Sequence, residues 1–150
     1  MAGIRITREF GFEMAHALWN YDGACRNIHG HSYKLFVTLS GEPVADTGNP
    51  KFGMVMDFSD LKKLVKTPVV DYLDHALVVY HRTDGENLNI LRNMYSKVHV
   101  FKFQPTCENL VLYIAEKIRA LLPPGIELHN IRLYETATSY AEWFAEDNKT

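Results

Sequence analysis

Two stretches carry alternating stripes that decide the fold: residues 4–16, Ile4-Arg5-Ile6-Thr7-Arg8-Glu9-Phe10-Gly11-Phe12-Glu13-Met14-Ala15-His16, and residues 29–40, His29-Gly30-His31-Ser32-Tyr33-Lys34-Leu35-Phe36-Val37-Thr38-Leu39-Ser40. In the first, the even positions run Ile4, Ile6, Phe10, Phe12, Met14 and His16, against Arg5, Thr7, Glu9 and Glu13. In the second, the odd positions run His29, His31, Tyr33, Leu35, Val37 and Leu39, against Ser32, Lys34, Thr38 and Ser40. A period of two is that of a half-buried strand, whose successive side chains point to opposite faces. Both histidine sets lie on the apolar stripes. If the strands pair antiparallel, the end of the first meets the start of the second, and His16, His29 and His31 converge at one end of the core. Three neutral nitrogen ligands make a metal site by geometry and leave a fourth position open for chemistry.

The bulk composition fits that reading. A chain of 150 residues with 47% apolar content suits one compact domain, residues 1–150, with a real core. A formal charge of −2, with acids and bases mixed throughout, points to neither a nucleic-acid nor a membrane surface. A phosphorylated small molecule would need a local cluster. No charged start followed by an apolar core marks a signal peptide, and no apolar run approaches the roughly 18 residues of a spanning helix. The expected compartment is the cytoplasm. Cys25 and Cys107 are the only cysteines and read as free thiols of a reducing environment.

Beyond the second strand, Gly41-Glu42-Pro43 and Asp46 to Pro50 read as turns, with Gly53-Met54-Val55-Met56 as a brief extended return. Asp57 or Ser59 can cap a helix carrying Leu61, Leu64 and Val65. Pro68 should end or kink it, after which Val69, Val70, Leu73 and Leu77 resume helical spacing toward Asp74-His75. Arg82 to Asn89 reads as a loop and Lys97 to Phe103 as a strand. Thr106 caps a firmer helix with Leu110, Ile114, Ile118 and Leu122 on one side, stopped by Pro123-Pro124-Gly125. A hairpin ends the chain, with Ile131, Leu133 and Glu135 on one face and Tyr140 to Phe144 returning. The expected plan is α+β, a four-stranded antiparallel sheet with two helices on one face, in the order ββααββ. Such a sheet has two free edges, and pairing them in an oligomer is the natural remedy.

The chemistry-bearing residues surround the histidines. Zinc suits imidazole better than magnesium or calcium do, while ligand type alone leaves iron, copper and nickel open. Cys25, four residues before His29, has three readings: a base or nucleophile of lowered pKa, a fourth metal ligand, or a small buried side chain. Cys107, beside a helix cap, reads as a packing residue. Asp74-His75 can be a carboxylate that orients an imidazole for proton transfer, though such neighbours are common. Glu135 occupies an inward position where an apolar residue is expected, and an inward carboxylate demands a partner: adjacent N–H donors of a ligand, an arginine, or backbone amides. Glu108 reads as a first-turn acid. No carboxylate stands near the histidines in sequence, which argues against a metal-dependent hydrolase.

Six pieces in order then resemble one family: Phe12-Glu13-Met14-Ala15-His16, Cys25-Arg26-Asn27-Ile28-His29-Gly30-His31, Gly53-Met54-Val55-Met56-Asp57-Phe58, Leu73-Asp74-His75, Pro105-Thr106-Cys107-Glu108-Asn109-Leu110 and Tyr134-Glu135-Thr136. They are similar to the 6-pyruvoyl- and 6-carboxy-tetrahydropterin synthases. The resemblance implies the tunnelling fold (T-fold), in which subunits join their sheets into a barrel, as a hexamer of two stacked trimers with the pocket between subunits. It implies Zn2+ on His16, His29 and His31, with Cys25, Asp74 and His75 as the proton-transfer set. Glu135 becomes the anchor of the pterin ring, with Thr106 and Glu108 as further substrate contacts. Three residues separate Cys25 from His29-Gly30-His31, as in the branch that makes 6-carboxy-tetrahydropterin, a 7-deazapurine and queuosine precursor, from 7,8-dihydroneopterin triphosphate. The animal-type 6-pyruvoyl branch has a longer gap, and a branch with glutamate at or beside the cysteine is opposed by Arg26 and Asn27. Two departures are Ala76-Leu77-Val78-Val79-Tyr80, without the Asn-Asp often found after the Asp-His pair, and Cys107 at a usually small or hydroxyl position. A zinc-stabilised pterin-binding protein without turnover is the alternative from another class.

Overall fold

A computed structural model describes residues 3–149. β1 (Ile4–His16) and β2 (His29–Gly41) pair antiparallel along their whole length, with Ile4 opposite Gly41 and His16 opposite His29. This register places the even residues of β1 and the odd residues of β2 on one face. Phe12, Met14, Tyr33, Leu35, Val37 and Leu39 are all buried there. β2 continues the sheet to β5 (Glu127–Thr136), and β5 to β6 (Ser139–Phe144), again antiparallel.

Two helices cover this face. α1 (Phe58–Val65) begins at Asp57, whose carboxylate accepts the Ser59 amide at 2.8 Å. α3 (Cys107–Arg119) begins at Thr106, whose hydroxyl accepts the Asn109 amide at 3.2 Å. Each cap satisfies one of the amides that a helix start leaves unpaired. Leu61 and Val65 of α1 and Leu110, Ile114 and Ile118 of α3 share one core with the β1, β2 and β5 stripes. Each such side chain contributes about 1.5–3 kcal/mol by leaving water.

The four-stranded, two-helix plan needs correction. The sheet has six strands in the order β4-β3-β1-β2-β5-β6, because Ala76–Tyr80 (β3) and Val98–Phe101 (β4) add a parallel pair beside β1. A parallel pair requires a crossover, and α2 (Gly85–Met94) supplies it. Leu88 of α2 packs with Leu77 and Val79 in a second cluster that Ala15 of β1 also joins, while Ala76 and Val78 face the main core. Helices therefore flank both faces at this end of the sheet. The strand expected at 97–103 is β4, whereas β3 is hidden for a physical reason: a strand buried on both faces loses its period of two, so Leu77 reads as continued helical spacing. α2 buries only Leu88, too thin a stripe to mark a helix, although Asp84 caps it by accepting the Asn87 amide at 3.2 Å.

Pro68 does not end the first helix. The run passes through a π-helical turn, Lys66–Asp71, and on to Leu73, a wider coil that accommodates a residue without an N–H. Val69 and Leu73 stay buried, whereas Leu77 belongs to β3. The 53–56 return is a turn rather than a strand, held by reciprocal 2.9 Å bonds from Val44 N to Met54 O and from Gly53 N to Val44 O.

Ile131, fully buried in the middle of β5, tests the core. Substitution I131A is expected to lower unfolding stability in urea by about 2–5 kcal/mol. A loss below about 1 kcal/mol would show that this face is not close-packed.

Candidate functional site

The β1–β2 register brings the three imidazoles together. His16 Nε2 lies 3.0 Å from His29 Nε2, and one ligand atom from each of His16, His29 and His31 falls within 4.8 Å of the others. The orientation of two rings is set by the backbone. His16 Nδ1 stands 2.7 Å from the Pro105 carbonyl oxygen, and His29 Nδ1 stands 2.7 Å from that of Asn27. A carbonyl only accepts, so each Nδ1 carries the proton and each Nε2 presents a lone pair to the shared centre. Metal-binding histidines are typically held in this way. Lone pairs at 3.0 Å repel unless a cation or a proton stands between them, so the donor set fits a metal ion.

His16 is 1% exposed. Burial pushes its pKa down to about 4; the Pro105 carbonyl opposes this, while His29 and His31 add to it. The neutral, metal-binding form is thereby the stable one at neutral pH.

Glu135 closes the cluster from β5, where the pairing with β6 slips between Tyr134 and Thr136. Its Oε1 lies 3.6 Å from His16 Nε2 and 3.8 Å from His31 Nε2. A carboxylate thus does stand beside the histidines, brought from a distant strand. Tyr33 backs the centre: its ring is 5.6 Å from that of His31, and its buried hydroxyl has no hydrogen-bond partner among the described residues. Burial, with Glu135 and Cys107 nearby, raises its pKa well above the ordinary phenol range, so it stays protonated.

Asp74 and His75 form a pair, with His75 Nδ1 at 2.9 Å from Asp74 Oδ2. The other carboxylate oxygen accepts the Glu13 amide at 2.8 Å, and the His75 amide donates to the Glu13 carbonyl at 2.6 Å. The Glu13 amide is the chief cause that holds Asp74 below the usual carboxylate range, and the bond to His75 adds to it. The pair is therefore pinned to β1 three residues before His16. His75 and His31 line the same cleft of about 560 Å3, together with Gly30, Ile28, Ser96 and Lys97.

The remaining expected residues divide. Cys25 is a half-buried free thiol in a short helical turn, Ala24–Arg26, within the β1–β2 connection, but it does not line that cleft. Its carbonyl accepts the Leu18 amide at 3.0 Å, which closes this connection. Thr106 spends its hydroxyl on capping α3, and Glu108 is exposed on the first turn. Cys107 is buried as a packing residue; its thiol donates to the Leu133 carbonyl at 3.3 Å, and burial pushes its pKa up to about 11. The orienting carbonyls of Asn27 and Pro105 have no side-chain signature, and the strand expected from Lys97 gives no sign that this side chain reaches the Asp74 carbonyl.

The fold compares well with the solved structure of a 6-pyruvoyl tetrahydropterin synthase from Caenorhabditis elegans: TM-score 0.69, 26% identity, covering 97% of each chain. The class is thus an α+β T-fold chain with a three-imidazole centre at the end of its first hairpin. The model of the 6-pyruvoyl tetrahydropterin synthase family matches residues 5–146, and the chain belongs to that family. It is similar to a 6-carboxy-5,6,7,8-tetrahydropterin synthase of Haemophilus influenzae, 38% identical over 93% of this chain and 97% of the relative. A protein of the same name from Synechocystis sp. is 35% identical over 93% and 92% of the two chains.

The buried His16 sets a pH dependence. An unfolded chain takes up a proton on this side chain below pH 6.5, whereas the folded one resists until about pH 4. Stability of the chelator-treated protein should therefore fall as pH drops through that window, by roughly 2–3 kcal/mol from this group alone. Urea midpoints across the window, compared with H16Q, measure it. A slope unchanged by H16Q would contradict the assignment.

Proposed function

We propose that the chain is a zinc-dependent 6-carboxy-5,6,7,8-tetrahydropterin synthase that converts 7,8-dihydroneopterin triphosphate to 6-carboxy-tetrahydropterin. The observation that carries the reading is the convergence of His16, His29 and His31, with Glu135 within 4 Å of two of them, in a chain whose relatives bear that name. His16, His29 and His31 would hold the ion, which supplies a Lewis acid beside the substrate's side-chain oxygens.

The chain's own groups then divide the work. Glu135 offers a carboxylate to the paired N–H donors of the pterin ring, fixing the side chain over the centre. His75, its Nδ1 held by Asp74 at 2.9 Å, keeps Nε2 free to give or take a proton. The Glu13 amide on the second Asp74 oxygen stops the carboxylate from swinging away. Cys25, as thiolate, would move protons at the side-chain carbons from the β1–β2 connection. Triphosphate leaves by elimination. With one water consumed, one side-chain carbon stays as the carboxylate and the other two leave as acetaldehyde.

The assembly in this reading is a hexamer of two stacked trimers, with the pocket completed by a neighbouring copy. The sheet supports this: β3 pairs with β1 only along Met14 to His16, and Glu13 is taken up by Asp74 and His75, so the β1 edge from Ile4 to Phe12 pairs with no further strand among the described residues. Open edges of that length are ordinarily paired or covered.

Product analysis tests the reaction. Purified, zinc-loaded protein should release acetaldehyde and triphosphate in equal amounts; an intact three-carbon side chain on the pterin would instead favour a 6-pyruvoyl-tetrahydropterin synthase. Substitution C25A separates catalysis from a binding role. Catalysis predicts an unchanged zinc content with turnover reduced about 10²-fold or more. Lost zinc together with lost folding would make Cys25 a structural ligand and the chain a zinc-stabilised pterin-binding protein.

A further inference from the structure

Lys97 immediately precedes β4 and belongs to none of the motif stretches. Its ammonium donates to two backbone oxygens, those of Asp71 at 2.6 Å and Asp74 at 2.5 Å. These carbonyls lie at the end of the helical run that starts with α1, where the last-turn oxygens have no amide partners of their own. A cation is favoured at that end by the helix dipole as well. The contact is between two parts of the fold: Asp71 and Asp74 close the first helix, and Lys97 arrives through the β3–α2–β4 crossover. Its own carbonyl accepts the Leu77 amide at 3.0 Å, which locks it beside β3.

What the clamp holds is strained. His75 has φ 60°, the left-handed region, which costs a residue with a Cβ about 1–2 kcal/mol and persists only where the surroundings hold it. From the β1 side, the turn is held by the Glu13 carbonyl on the His75 amide and the Glu13 amide on Asp74. From the β4 side, it is held by Lys97. The carbonyl that Lys97 grips on Asp74 belongs to the peptide unit leading directly into His75. An ammonium suits the task because its donors diverge toward two acceptors. A methionine would fill the same stem volume and supply none.

We propose that Lys97 is a positioning residue, clamping the Asp71–Asp74 turn so that His75 keeps its imidazole on Asp74 and in the cleft it shares with His31. The proposal rests on reading Asp74 and His75 as the proton-transfer pair. It also gives the crossover unit a task at the site: the unit carries the side chain that holds the pair from the side opposite β1.

The test is a cycle of K97M, K97R, H75A and H75A/K97M in the zinc-loaded full chain, assayed with 7,8-dihydroneopterin triphosphate. K97M should lower kcat about tenfold or more with KM within about threefold, and K97R should recover most of the loss. In the H75A background, K97M should cost less than about twofold, because Lys97 acts only through the pair. An equal loss in both backgrounds, or wild-type kcat in K97M, would overturn the proposal. If K97M does not fold, K97Q is read by the same criteria. Amide hydrogen exchange gives a readout independent of turnover: the His75 amide should exchange about tenfold faster or more in K97M, with the β2–β5 amides unchanged. If the wild-type protein does not turn over this substrate, the functional reading fails. Exchange then decides the Lys97 clamp alone, with unchanged His75 protection overturning it.

Discussion

The pairing of His16 with His29 across β1 and β2 is the constraint on which the rest depends. Because side chains alternate along a strand, a slip of one residue would send every member of a stripe to the other face. The same register that buries Phe12, Met14, Tyr33, Leu35 and Leu39 thus places three imidazoles on the core side. Stability and site geometry are one property here. The core cannot shift the strands without dispersing the imidazoles, and the imidazoles sit where the hairpin's apolar stripe ends.

That placement has an energetic cost that the local structure offsets. Burying His16 disfavours its charged form, and a buried imidazole with an unbonded N–H would cost more. The Pro105 carbonyl, in the segment just before α3, removes that cost and fixes the tautomer. The helix cap at Thr106 is therefore part of the same construction: it starts α3 next to the carbonyl that orients His16. Asp74 and His75 show the same economy, since two backbone groups of Glu13 on β1 hold a pair that belongs to another element. Every group assigned to the chemistry is thus tied to the hairpin or to what packs on it.

The half of the fold that obeys simple periodicity is legible in the sequence. β1, β2, β5 and α3 each bury one face, and their apolar positions recur at the period of their backbone. The histidine cluster follows from that alone, because it needs only alternation and antiparallel pairing. β3 and α2 are not legible, for opposite reasons: β3 is buried on both faces, while α2 fully buries only Leu88 and leaves Ile90 and Met94 exposed. The approach of Glu135 to the histidines depends on the sheet bringing β5 beside β2, a long-range pairing without a local sign. The carbonyls of Asn27 and Pro105, and the grip of Lys97 on Asp74, are contacts to backbone atoms, which every residue type offers alike.

In the proposed reading His16, His29 and His31 hold the zinc, and Cys25 stays outside its coordination shell. X-ray absorption at the zinc edge of the zinc-loaded protein addresses it directly. Only nitrogen and oxygen neighbours are expected, near about 2.0–2.1 Å, with no sulfur shell near about 2.3 Å. A sulfur neighbour at that distance would place Cys25 on the metal, close the fourth position, and contradict the claim.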